Sequence, residues 1–432
     1  MSWPDKLKLK KQLVISLTEA GYPGPKEVQL KTLSRIAGGQ DVIVVGPEGS
    51  GKTTTYVMAV LTRFNYNPDG VPRVLILVPD KDSVLAVAEQ FSRLNRNKSI
   101  SIVELYAAPG TETQMNALAD GADIVIATPD RARALYLKLG LNLNKIELII
   151  IDDADLVVKQ GLQLPVAELA NSAQKCQHLV FTEVMHNRLE KMIDPFMNLP
   201  AMVEVEQAGV AAMDTHPQVL YTLPNFGTKL NLLYLFMQDD EVFTRVVVFV
   251  NTRPTAEKIY QNLGKYLKDA VAILNPWFFE QTGFATIEEF KQSAVRLLIA
   301  VNDNDNYLDL DDIPFVIHFE LPDEKETYIK RVTLEAPAAS GDETLFLTFA
   351  TDLELNAVKK IEQATGQKMQ PADLPDDLVI DQGKKAAKQA DNLPEKDTGT
   401  GEAFHQKKAS NSKTYNYSSG EKAKMNKKRK HG

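Results

Sequence analysis

Cysteine is nearly absent: Cys176 is the one thiol in 432 residues. An intramolecular disulfide and a cysteine-built zinc site are therefore excluded, and a reducing, cytoplasmic setting fits. A lone thiol of this kind reads as a buried small residue rather than a nucleophile. Nothing approaches the roughly 20 consecutive apolar residues that cross a bilayer. Met1 to Lys11 lacks the apolar centre of a secretory signal, so no membrane association is expected. The histidines are few and dispersed; His178, His186 and His318 share no carboxylate–histidine spacing of a metal site. The acidic run from Asp303 to Asp312 is no calcium loop either. Leu308 stands at its glycine position and Pro314 at its final glutamate position, so it reads as a solvated loop.

Positive charge is scarce except at one end. The net charge is −8, yet from Asp381 onward thirteen Lys/Arg stand against six Asp/Glu, leaving −15 on the residues before it. Residues 381–432 are rich in Lys, Gly, Ser and Asn with few aliphatics, and are expected to be disordered. Lys384-Lys385, Lys407-Lys408 and Lys427 to Lys430, interleaved with Tyr415 and Tyr417, suit an anionic partner such as RNA. The last cluster also fits a nuclear address.

What is present centres on Asp41-Val-Ile-Val-Val-Gly-Pro-Glu-Gly-Ser-Gly-Lys-Thr53. Val42 to Val45 predict a buried strand, Gly46-Pro47-Glu48-Gly49-Ser50-Gly51 a turn, and Lys52-Thr53-Thr54 the start of a helix. The spacing G-x-x-x-x-G-K-T is that of a phosphate-binding loop. Its glycines let backbone N–H groups approach a polyphosphate, and the helix N-terminus adds partial positive charge. Lys52 is expected to reach the β- and γ-phosphates of ATP and Thr53 to hold Mg²⁺. A hundred residues on, the apolar run Leu148 to Ile151 ends in Asp152-Asp153-Ala-Asp155. A carboxylate at that strand end supplies what a Mg-nucleotide site still lacks. Asp152 can hold the Mg²⁺ shell, and Asp153 can orient or deprotonate the attacking water.

Along the chain, Leu9, Leu13, Leu17 and then Val28, Leu30, Leu33 and Ile36 predict helices within residues 1–40, broken by Gly21 to Pro25. Strands are predicted at 42–45, 73–78, 101–106, 122–128, 147–152 and 178–182, with helices between. After a softer stretch, 207–217, a second series follows at 219–223, 245–250, 271–274, 297–301, 315–319 and 344–349. The expected organisation is an N-terminal α/β domain (1–206), a linker (207–217), a second α/β domain (218–380) and the basic tail. Apolar strands alternating with helices imply parallel sheets covered on both faces.

This order of signals resembles the DEAD-box RNA helicases over about residues 3–375. Pro25-Lys-Glu-Val-Gln29 looks like the family's glutamine motif. The resemblance implies that Gln29 reads the adenine edge and that Trp3 falls near the adenine-stacking aromatic. Ala127-Thr128-Pro129-Asp-Arg131 resembles the T-P-G-R element, and Val248-Phe-Val-Asn251-Thr252-Arg253 the F-V-N-T-R element. Both imply RNA contacts, as does Pro79 at the family's P-T-R-E position. Asp309 matches the ribose-holding Asp of R-G-L-D, and Tyr328-Ile-Lys-Arg331 matches the start of Y-I-H-R-x-G-R-x-G-R. Two tandem RecA-like domains are implied, with ATP in the cleft between them and RNA across the same face.

Several letters differ from the family pattern. Asp153 replaces the Glu of D-E-A-D, and Phe181-Thr-Glu183-Val replaces F-S-A-T. Pro79-Asp-Lys-Asp replaces P-T-R-E. Asn306 and Tyr307 stand at the Arg and Gly of R-G-L-D. Leu334 and Pro337 occupy both arginine-finger positions, and no Arg or Lys lies between Arg331 and Lys359. Two readings follow: an ATP-dependent RNA helicase that remodels duplexes, acting as a monomer on ribosomal or mRNA assemblies, or an ATP-binding RNA clamp that hydrolyses slowly or not at all.

Overall fold

A computed structural model of the chain describes residues 7, 9–64, 69–107, 110–173, 175–206, 212–277, 281–302, 308–334 and 344–382. Trp3, Asn306, Tyr307, Pro337 and the tail from residue 383 lie outside them. One unit, Met1–Asp381, carries both sheets; the remaining unit, apart from Gln382, falls outside the described residues.

In the first half the short apolar runs become strands β1 (Val42–Val45), β2 (Val74–Leu77), β3 (Ile102–Leu105), β4 (Ile124–Ala127), β5 (Leu148–Ile151), β6 (Gln177–Thr182) and β7 (Ala201–Glu204). They form one parallel sheet in the order β3-β4-β2-β5-β6-β1-β7. Every residue of β1, β2, β4, β5 and β6 is buried. Alternate side chains then enter two cores. Val42 and Val44 pack with Tyr56, Phe91 and Phe181 on one face, while Ile43 and Val45 pack with Leu169 and Leu189 on the other. That two-sided burial is why these strands read as continuous apolar runs.

Strand β7 was not expected from the sequence. It is an edge strand beside β1, and Val203 alone of its four residues is buried, so no apolar run marks it. At the N-terminus the helices Lys11–Glu19 and Glu27–Ala37 bury Leu13, Leu17, Val28, Leu33 and Ile36. Leu30, assigned to that apolar face from its spacing, is half exposed instead.

The second half repeats the plan with β8 (Gln218–Thr222), β9 (Val246–Val250), β10 (Val271–Leu274), β11 (Gly283–Phe284), β12 (Leu297–Val301), β13 (Phe315–His318), β14 (Leu345–Ala350) and β15 (Gln370–Pro371). Their order is β11-β10-β12-β9-β13-β14-β8-β15, again parallel in every pair among the described residues. The two-residue strands β11 and β15 are too short to leave a periodic signal. The described part of the 207–217 stretch is pinned rather than loose. Thr215 bridges Thr333, the His216 N–H donates to the Val332 carbonyl at 2.8 Å, and the Met213 N–H to Thr365 at 2.8 Å. Among the described residues no helix is long and apolar enough to cross a membrane.

Candidate functional site

Parallel strands put their carboxyl ends along one edge, and the loops there carry the residues singled out above. Along the first sheet that edge presents Thr128 after β4, then Pro79 beyond β2, Asp152 after β5, Glu183 after β6 and Gly46 after β1.

The loop after β1 needs its glycines. Gly49 and Gly51 have φ of +73° and +96°, the left-handed region. A methyl on Gly51 would also come within 3.1 Å of Gln29 Nε2, and one on Gly46 within 3.1 Å of Ser50 Oγ. Lys52 opens the helix Lys52–Arg63 and is buried. Its Nζ donates to the loop's own carbonyls, Gly46 at 2.7 Å and Pro47 at 3.0 Å. Gln29, also buried, accepts the Lys26 N–H at 2.9 Å through Oε1, while Lys26 Nζ donates to the Gly49 carbonyl. Gln29 of the glutamine motif therefore braces Lys26, which ties that segment to the phosphate loop. This contact joins residues more than twenty positions apart.

Opposite the loop, Asp152 Oδ2 accepts from Thr53 Oγ1 at 3.1 Å and from the Tyr56 phenol at 2.8 Å, and Oδ1 accepts the Asp153 N–H at 3.1 Å. Burial raises the Asp152 pKa, opposed by the Tyr56 hydrogen bond, Lys52 and Thr53. Asp153 precedes the helix Ala154–Lys159 with φ +46° and no side-chain capping bond, and its carboxyl is pushed up to about 7. Burial is the main cause and the Asp152 charge the next; Lys52 pulls the other way. Asp155 is buried and accepts from Thr182 Oγ1 at 2.8 Å.

A cleft of about 570 Å³ opens over this group, lined by Tyr22, Gln29, Lys52, Thr53, Asp153 and Glu183 among others. Its remaining wall comes from the second half of the chain, from the helix Leu355–Thr365 that follows β14. Asn356 Nδ2 donates to Asp155 Oδ2, and Lys359 Nζ donates to the Glu183 carbonyl at 2.9 Å. Lys360 Nζ lies 3.7 Å from Glu183 Oε2 and 3.8 Å from Glu48 Oε2. Sequence reasoning missed Tyr22, Tyr56, Asn356 and Lys360, because each belongs to the site only through contacts distant along the chain.

The expected RNA-contacting residues lie along the same edges. Thr128 and Pro129 begin the helix Pro129–Leu137, and Arg131 Nε donates to Gln114 Oε1. Asn251 and Thr252 follow β9. The Asn251 N–H donates to Glu320 Oε2 at 2.7 Å, its Nδ2 to the Leu321 carbonyl at 2.7 Å, and its Oδ1 accepts from Asn302 Nδ2 at 2.6 Å. Thr252 caps the helix Arg253–Leu267. Arg331 is half-buried, its guanidinium 3.6 Å from the Phe249 ring centre and donating to Asn302 Oδ1 at 2.6 Å; partial burial lowers its pKa to about 10. Asp309 is not among the cleft's lining residues. It accepts from Lys291 Nζ at 3.0 Å and from the Asp311 N–H at 3.0 Å. Leu334 donates its N–H to the Asp214 carbonyl at 3.0 Å, also outside the cleft lining. Cys176 is half-buried, and burial and then Asp41 push its thiol up to about 11, which suits a structural residue.

Residues 26–192 match the family model described as DEAD/DEAH box helicase. The RNA helicase CrhR of Synechocystis is 25% identical over 389 residues, covering 89% of this chain and 76% of the relative. The ATP-dependent RNA helicase DeaD of Buchnera aphidicola is 27% identical, covering 84% of this chain but 59% of its own length. A crystal structure of a DEAD box protein from the hyperthermophile Methanococcus jannaschii aligns with a TM-score of 0.47 at 22% identity, covering 85% of this chain and 98% of that one.

Proposed function

We propose that this chain, over most of its length a distant homologue of DEAD-box ATP-dependent RNA helicases, binds Mg-ATP over Lys52 and RNA along the same edge of both sheets, coupling the two to remodel RNA duplexes. One observation carries the reading: Thr53 and Asp152, 99 positions apart, meet at 3.1 Å beside Lys52 and under a glycine loop. The donor set fits Mg²⁺. A hydroxyl and a carboxylate leave its other positions to water and phosphate, as this ion prefers. Among the described residues no group of three or more His, Cys, Asp or Glu forms a cage that would suit another metal. When bound, the ion supplies neutralisation of the phosphate charge.

The chain's own residues do the rest. Lys52 turns from the Gly46 and Pro47 carbonyls toward the phosphates, and Thr54 continues the helix N-terminus that faces them. Asp153 orients the attacking water in its ionised form, and Gln29 reads the adenine edge from its seat against Gly51. Trp3 is assigned to adenine stacking and Asp309 to the ribose, as the family resemblance implies. Pro79, Thr128, Pro129 and Arg131 contact RNA phosphates from the first sheet, and Asn251 and Thr252 do so from the second.

A second reading, an ATP-gated RNA clamp with little turnover, is favoured by Leu334 at the arginine-finger position and by the shortened Asp153. Such fingers are worth about 10³–10⁵ in rate. Steady-state ATP hydrolysis with and without single-stranded RNA, alongside Lys52→Ala, separates the two. RNA-stimulated turnover that vanishes in the variant supports the helicase reading. ATP binding without turnover supports the clamp, and absence of ATP binding sinks both.

A further inference from the structure

The helix Lys325–Val332, which carries the Y-I-K-R segment, contributes no residue to the cleft lining, but a cation reaches the cleft from another element. Lys360 lies on the helix Leu355–Thr365, one turn beyond Asn356, so both side chains leave the same helix face. Asn356 is hydrogen-bonded to Asp155, and both it and Lys360 line the cleft with Lys52, Thr53 and Asp153. The hydrogen bond ties this helix face to the first half of the chain, with Lys360, 44% exposed at its side chain, at the cleft's rim.

Lys360 Nζ faces two carboxylates, the exposed Glu48 and the nearly buried Glu183. Glu183 Oε2 is 3.7 Å from Lys360 Nζ while its Oε1 is 3.8 Å from Lys52 Nζ. One carboxylate, 11% exposed at its side chain, therefore stands between two ammonium groups from the two halves of the chain. Its backbone is held in place, with the N–H directed at Asp155 Oδ1 at 3.3 Å and the carbonyl accepting from Lys359. Ion pairs at 3.7–3.8 Å are looser than charge-assisted hydrogen bonds, which close to about 2.7–2.9 Å. An anion of higher charge in the same gap displaces such a carboxylate, because attraction scales with the product of the charges. Lys52 is the residue expected at the outer phosphates of a nucleotide, so an anion shared with Lys52 is the end of a polyphosphate.

We propose that Lys360 is the cation that the second half of the chain contributes to the terminal phosphate of a bound nucleoside triphosphate. Glu183 holds the phosphate's place between Lys360 and Lys52 until the nucleotide enters. This deepens the reading above and rests on it. It gives the second sheet's layer a direct hold on the group that distinguishes ATP from ADP, although Leu334 offers none. Such a contact adds to the hold between the two halves in the triphosphate state alone.

The test is calorimetric titration of the full chain in magnesium with the non-hydrolysable triphosphate AMP-PNP and with ADP. It is run on the native protein, Lys360→Ala, Lys360→Arg and Lys52→Ala. The expected result is that Lys360→Ala loses about tenfold or more in AMP-PNP affinity while ADP affinity stays within about twofold, the size of one charge-assisted contact. Lys360→Arg retains the triphosphate preference. A merely structural role for the helix moves both nucleotides together. If Lys360→Ala keeps the native preference, or weakens both nucleotides equally, the assignment of Lys360 is overturned while nucleotide binding stands. If the native protein binds neither nucleotide, the reading beneath it falls as well.

Discussion

Tyr56, wholly buried, donates its phenol to the same Asp152 oxygen that Thr53 reaches, at 2.8 Å. Thr53 and Tyr56 sit three residues apart on one helix face, so a single turn delivers both donors to one carboxylate. Burial raises the Asp152 pKa, and these donors together with Lys52 oppose that rise. The Tyr56 pKa lies well above its usual value, chiefly from burial and then from Asp152, so the phenol remains a donor throughout the working range.

Tyr56→Phe is therefore expected to leave the carboxylate short of one donor and raise its pKa further. The cost is about 1–3 kcal/mol of stability, the usual penalty for a buried polar group left unpaired. Magnesium-dependent ATP binding should weaken more at lower than at higher pH, because the variant's carboxyl stays protonated over a wider range. Urea unfolding and nucleotide titration at two such pH values measure both effects, and equal loss at both would remove Asp152 protonation as the cause.

Asp153, with its carboxyl pushed up to about 7, gives two pH effects of opposite sign. Its folded pKa lies above the unfolded value of about 3.9. Its contribution to stability is complete below that value and is lost as pH rises through about 7. Asp153→Asn should flatten that decline in denaturant titrations. Turnover runs the other way, since water activation needs the ionised form, so any ATP hydrolysis should climb with pH through about 7. Asp153→Glu restores one methylene of reach and should raise the plateau by up to about 10²-fold. An unchanged rate would show that Asp153 is not in the water's path.

His318 ends β13 wholly buried against Tyr328, Phe249 and Phe346, with ring centres 4.3, 5.5 and 6.0 Å away. Neither ring nitrogen has a hydrogen-bond partner. Burial, and then the Arg331 charge, hold its pKa well below the usual histidine value. The unfolded chain takes up a proton first as pH falls below about 6.5, so stability is lost there. His318→Phe keeps the ring contacts and removes two orphaned polar atoms. It should change stability at pH 7 by less than about 1.5 kcal/mol and reduce the loss between pH 6.5 and 5. Thermal unfolding across that range decides it.

The strands that pack on both faces were legible because burial on two sides writes an unbroken apolar run, as in Val42 to Val45 or Leu148 to Ile151. The phosphate loop was legible because its glycines answer to local backbone geometry at Gly49 and Gly51. Edge strand β7 escaped, since one buried valine makes no pattern. The second wall of the cleft escaped for a different reason. Lys359 and Glu183 are 176 positions apart, and nothing in the local sequence of either encodes the meeting. Arg331 sat in a recognisable motif, yet its stacking on Phe249 came only from the packing of β9 and the helix Lys325–Val332.

The two-core sheet also bears on how such a chain ages. Ile43, Val44 and Ile150 hold the architecture from inside the strands, while Asp153, Glu183 and Thr128 sit in loops that hang off the strand ends. Replacing a letter in those loops leaves the strand interiors untouched. Chemistry at this edge can therefore be rewritten for a new task without repacking the two cores. A sheet of this build keeps its shape while the residues at its strand ends change.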